Sequence, residues 1–190
     1  MRATANPSFA ETWRPAAHWL QPVLPRVLRP WLLDSASLTQ RLIRACCEAF
    51  RVELLGQSWR RPLLTEARAL EIDPDRYAWV RQVRLLCGQV PWVYARTVIP
   101  GSTLTGPQRR LTRLRTRSLG AVLFADPTME RGTFQIARLL PGDTLFTLAA
   151  AGLARRPSEI WGRRAIFRVN DKPLLVSEIF LPALGEFPPA

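Results

Sequence analysis

Two rhythms of apolar residues run along the chain, one repeating every three to four positions and one every two. Leu38, Leu42, Ala45, Cys46, Ala49 and Phe50 follow the first and predict an amphipathic helix over Leu38–Phe50. Ser37, just before it, and Gln40, three residues on, have the spacing of a capping box, in which a side-chain oxygen satisfies an orphan helix N–H. The second rhythm governs Arg51–Trp59, Tyr77–Cys87 and Pro91–Pro100, which read as strands. Within Tyr77–Cys87, Trp79, Arg81, Val83 and Leu85 share one face. Gly88 and Gln89 separate that strand from WVYARTVI, a β-branched and aromatic run, so the two form an antiparallel hairpin.

Further on, Thr105 and Gln108 repeat the capping-box spacing ahead of a short helix through Leu111 and Leu114. A second short helix follows Ser118 with Leu119, Val122, Leu123 and Phe124. Phe134–Leu140 reads as a strand ending at Pro141-Gly142, and LFTLAAAGLARR as a helix before Pro157. Trp161–Val169 and Leu174–Leu181 are strands joined through Asn170-Asp171, a pair that tolerates positive φ. Pro22, Pro25 and Pro30 break any long helix in the Pro/Trp-rich first thirty residues. The sum predicts an α+β fold, antiparallel strands with helices inserted between them. It is expected as one domain over residues 1–190, with 1–30 an N-terminal segment and 183–190 a tail.

Charge changes this picture less than its size suggests. The formal net charge is +12, which prompts a nucleic-acid or membrane reading. Lys172 is the only lysine, so 26 of the 27 basic residues are arginine, a bias spread over the whole chain. Clustered lysine, zinc spacing and the aromatic stacking motifs of RNA-binding sheets are missing, and no nucleic acid is expected as a partner. Cys46, Cys47 and Cys87 are an odd, sparse set and read as buried small apolar residues. His18 is the only histidine, so no Cys/His metal cluster can be written. No secretory signal or membrane-length apolar run is visible, which makes a cytoplasmic protein the expectation.

Alternation isolates two charged side chains on apolar rows. Glu178 shares its row with Leu174, Val176 and Phe180, and Arg81 with Trp79, Val83 and Leu85. A carboxylate or guanidinium there needs a partner or a function; a salt-bridged or half-exposed position is about as compatible with the spacing as a ligand site. Arg96, in a row with Trp92, Tyr94 and Val98, reads first as stacking on aromatics. The run Arg109, Arg110, Arg113, Arg115 and Arg117 reads as a solvated face, with phosphate binding second. Arg163-Arg164 reads as surface charge or an anion contact.

Several segments taken together resemble the chorismate lyase family. They are YAWVRQVRLL, PWVYARTVIPGSTLTGP, RSLGAVLF and, nearest of all, IWGRRAIFRVNDKPLLVSEIFLP. The resemblance spans roughly residues 30 to 183, with a stretch after Arg138 longer than in shorter relatives. It implies a single antiparallel sheet with helices beside it and a buried site under helical flaps. The expected flaps are the helix from Leu38 and the one near Thr105–Arg117. It also implies elimination of pyruvate from chorismate to leave 4-hydroxybenzoate for ubiquinone synthesis, with no cofactor and a monomeric state. Arg81 falls on the family's carboxylate-binding arginine and Glu178 on its glutamate at the hydroxyl end of the ring. Leu119 and Leu38 fall on main-chain contacts, and Arg96 or Arg163 is a candidate for the enolpyruvyl carboxylate. The alternative is a non-catalytic effector-binding domain of the same fold. Such regulators carry an N-terminal winged-helix domain, for which the residues before Asp34 are too few and too Pro-rich.

Overall fold

A computed structural model describes residues 12–186. Its frame is one antiparallel sheet built mostly from four long strands, β3 (Ala78–Cys87), β4 (Val90–Pro100), β7 (Ile160–Val169) and β8 (Lys172–Phe180). β2 (Phe50–Arg60) extends one side; β6 (Gln135–Leu139) and the short β1 (Arg14–Pro15) extend the other. The order is β1-β6-β7-β8-β4-β3-β2, with β5 (Met129–Arg131) also paired to β7. The long central strands were visible in the alternation because each presents one row to each covered face. Asn170 and Asp171 close the β7–β8 hairpin with φ of 49° and 60°, the twist a tight two-residue turn requires.

Helices cover both faces. α1 (Arg29–Leu33), α2 (Leu38–Ala45), α4 (Leu119–Phe124) and the 3-10 turns of Gly106–Arg113 lie on one face. Their apolar side chains form two clusters there, one around Trp31, Leu42, Val83 and Phe180, the other around Leu111, Leu123, Phe167 and Val176. α3 (Leu64–Leu70) and α5 (Thr144–Ala150) pack on the opposite face against Val80, Val98, Tyr94 and Ile179. The site lies where the first two clusters fail to meet. Among the described residues no helix is long and apolar enough to cross a membrane.

Several expectations are corrected. α2 stops at Ala45, and Phe50 already belongs to β2, paired with Cys87. The stop is covalent: Cys46 caps the helix and is joined to Cys87 in a disulfide, while Cys47 is free and exposed. The reading of all three cysteines as buried apolar residues therefore fails. Neither expected capping box forms, since Ser37 and Thr105 make no side-chain cap bond. Thr105 instead accepts from Lys172 Nζ at 2.6 Å. α5 ends at Ala150, short of the Arg155-Arg156 pair, because Ala151 turns to extended φ/ψ. α3, whose Glu66 accepts from the Leu63 N–H at 2.8 Å, was not anticipated.

Candidate active site

Sheet register sets the site. Val83, Ala95, Glu178 and Arg163 form one cross-strand row through β3, β4, β8 and β7. Arg81, Thr97 and Val176 form the row next but one on the same face. Arg81 and Glu178 thus stand two strands apart, ~10 Å across the sheet, with both side chains directed at the same gap. That gap is a narrow cavity of about 50 Å³, walled by Val52, Val83, Leu85, Ala95, Leu123, Phe167 and Val176 between the two charges.

The roof is α2 and α4, which bring Ser37, Leu38, Thr39, Ser118, Leu119 and Gly120 to the cavity. Leu38 and Leu119 each open their helix and are buried. The two helices meet at a hydrogen bond of 3.0 Å between Thr39 Oγ1 and Ser118 Oγ. Gly120 permits that crossing, since a Cβ there would stand 3.2 Å from Thr39 Oγ1. The second half of the roof is therefore α4 with the loop before it, which is the C-terminal end of the expected Thr105–Arg117 flap. The 3-10 turns of Gly106–Arg113 bring no residue to the cavity and line the outer side of α4 instead.

Arg81 is the anomaly of the site. It is 3 % exposed, yet among the described residues it forms no ion pair. Its Nη2 donates to the carbonyls of Arg115 and Arg117, both at 2.9 Å. Its Nε is buried without an acceptor. Burial pushes its guanidinium down to about 10, which leaves it a cation at neutral pH. A buried cation without a counter-charge is costly, and a ligand carboxylate is the group that offsets it.

Glu178 is held differently. Its Oε2 accepts from Arg163 Nε at 2.7 Å, and its Oε1 has no hydrogen bond among the described residues. Arg163 is buried and also donates through Nη1 to the carbonyls of Trp31 and Asp34, at 2.8 and 2.6 Å. Asp34 in turn binds Arg41 of α2 at 2.6 Å and accepts from the Ala36 N–H at 2.8 Å. Burial alone would raise the Asp34 carboxyl, but the Ala36 N–H and the Arg41 guanidinium bring it below its ordinary 3.8. One arginine thus fixes the site carboxylate and the segment leading into the roof.

The remaining expected residues divide. Arg163 supports Glu178 from behind and does not line the cavity; Arg164 binds Gln135 and the Thr65 carbonyl. Both are buried, so neither is surface charge. Arg96 lies on the opposite face, bidentate to Glu66 at 2.7 and 3.1 Å in place of the expected aromatic stacking. Ser37, Thr39, Thr97 and Ser118 were not anticipated as wall residues. Thr97 was readable, two positions from Ala95 on the same strand row; the roof hydroxyls carry no periodic signal. Among the described residues no group of three or more His, Cys, Asp or Glu could hold a metal ion.

Residues 9–186 match the family model for chorismate lyase. The chain belongs to the chorismate lyase family. It is 38% identical over 183 residues to a probable chorismate pyruvate-lyase of Nitrosomonas eutropha, covering 96% of this chain and 98% of that one. It is 41% identical over 172 residues to one of Pseudomonas aeruginosa, covering 90% and 91%. Membership of the chorismate lyase family makes this chain an enzyme of the carbon–oxygen lyase class. Among solved structures, PhnF of Mycobacterium smegmatis matches with TM-score 0.55 at 16% identity, over 80% of this chain and 66% of that one. The C-terminal domain of the histidine utilization repressor of Pseudomonas syringae matches with TM-score 0.54 at 8% identity, over 71% and 93%. At such identities these two share the fold alone with this chain.

Proposed function

We propose that this lyase eliminates pyruvate from chorismate and leaves 4-hydroxybenzoate, acting as a cytoplasmic monomer without a cofactor and feeding ubiquinone synthesis. The observation that carries the reading is Arg81, a buried cation with no acidic partner among the described residues, at one end of an apolar cavity. The opposite end presents Glu178 Oε1, which makes no hydrogen bond among the described residues. A flat ring with a carboxylate at one end and a hydroxyl at the other satisfies both groups at once.

In the proposed reaction the C3–O bond breaks and the C4 hydrogen is lost. The ring becomes aromatic, and the enolpyruvate leaves to become pyruvate. Aromatisation drives the step, so the protein's work is to bind, orient and exclude water. Arg81 holds the ring carboxylate through paired, charge-assisted hydrogen bonds. Glu178 Oε1 accepts from the C4 hydroxyl, and Arg163 keeps that carboxylate aimed. Hydrogen transfer to the leaving oxygen within the substrate needs no protein base, which leaves Glu178 an orienting group. Leu38 and Leu119 supply main-chain contacts to the ring from the roof. Among the described residues no arginine besides Arg81 lines the cavity, so the reading directs the enolpyruvyl carboxylate toward Ser37, Thr39 and Ser118.

Purified protein incubated with chorismate is expected to release 4-hydroxybenzoate and pyruvate in equal amounts. Tight 4-hydroxybenzoate binding with no turnover would overturn the catalytic reading in favour of an effector-binding domain.

A further inference from the structure

An open groove on the far side of α4 carries a concentrated positive charge. Arg109, Arg110, Arg113 and Arg117 line it, and Asp126 is the only carboxylate among its lining residues. Asp126 is engaged by Arg110 at 2.6 Å, which leaves three guanidiniums without an ion pair among the described residues. The groove measures about 1000 Å³, against about 50 Å³ for the cavity.

α4 is the partition between the two. Leu119, Gly120, Leu123 and Phe124 face the cavity, while Ala121, Val122 and Ala125 face the groove, and Ser118 borders both. The partition is one helix thick, ~10 Å. Its leading edge is tied to the site itself, because the Arg115 and Arg117 carbonyls are the acceptors of Arg81 Nη2. Arg115 sits there at φ 49°, a left-handed conformation unfavourable for a residue with a Cβ. The loop is thus held against its own preference by the guanidinium that a ligand carboxylate would claim.

We infer that the arginine groove is an outer capture site for the dianionic substrate, and that the substrate passes from it to Arg81 by displacement of α4 and its leading loop. The inference rests on the lyase reading above. A substrate with two carboxylates meets the groove arginines first. The loop carbonyls then leave Arg81 Nη2, and the ring carboxylate takes their place.

The test is R109Q/R113Q, two exposed positions that touch neither Arg81 nor Glu178. Association of chorismate is followed by stopped-flow tryptophan fluorescence at low salt and near 0.15 M, where the screening length is ~8 Å. The expected result is an association rate on the order of tenfold lower at low salt. Its salt dependence flattens, kcat is unchanged, and R109K/R113K behaves as wild type. A wild-type association rate and salt slope in R109Q/R113Q would overturn the groove alone. A wild-type protein that releases no pyruvate overturns the lyase reading and this inference with it.

Discussion

The two faces of the sheet each bury an arginine from the central hairpin, and they treat it in opposite ways. On the α3 face, Arg96 meets Glu66 through two parallel hydrogen bonds, with the carboxylate fully buried. On the cavity face, Arg81 meets only main-chain carbonyls among the described residues. A fold that can supply a carboxylate to one buried guanidinium and withholds it from another marks the second as the place for a ligand's charge. Burial and charge are alike at the two positions; the missing counter-ion distinguishes them.

Four experiments test that contrast. The largest effect is expected for Arg96→Ala, which strands Glu66 and should lower stability by about 3–5 kcal/mol. Urea unfolding measures it, and Arg96→Met with Glu66→Leu should recover most of the loss. Arg81→Ala should cost about 2–5 kcal/mol of binding to chorismate and product, read as kcat/KM and product Kd. Its melting temperature should stay at or above that of the wild type, since an uncompensated cation has gone. A large drop in melting temperature would remove the contrast. Arg163→Lys keeps the charge but cannot reach Glu178 and two carbonyls in one plane. It should lower kcat more than it raises KM, by roughly tenfold, or about 1.4 kcal/mol. The smallest effect concerns acid. Asp34 titrates below its unfolded value of 3.8, so its contribution is complete above that pH and lost as pH falls through the lowered value. Asp34→Asn should flatten the wild-type loss of stability below about pH 4 in a circular dichroism titration.

Much of the sheet was legible because a strand covered on both faces alternates between two distinct environments. Arg81 and Glu178 stood out as charges interrupting apolar rows, and family likeness supplied their roles. The same alternation could not tell Arg81 from Arg96, because pairing is decided by α3, whose Glu66 lies 30 residues away in sequence. The surface reading of Arg163 fails for a related reason: besides Glu178, its partners are the Trp31 and Asp34 carbonyls, more than 100 residues away. The roof was overextended at Phe50 because apolar spacing continues past Ala45 while a disulfide ends the helix. Long-range pairing, covalent or polar, leaves no local rhythm.

That disulfide also decides how the roof can move. It fastens the C-terminal end of α2 to the rim of the sheet at Cys87, 41 residues along the chain. A helix riveted covalently at one end swings, if it swings, at the other, like the hand of a clock. That other end carries Ser37, Leu38 and Thr39, the residues over the cavity and against Ser118, and only hydrogen bonds and an ion pair hold it. Passage beneath α2 is therefore expected at its tip, beside α4, rather than at its root.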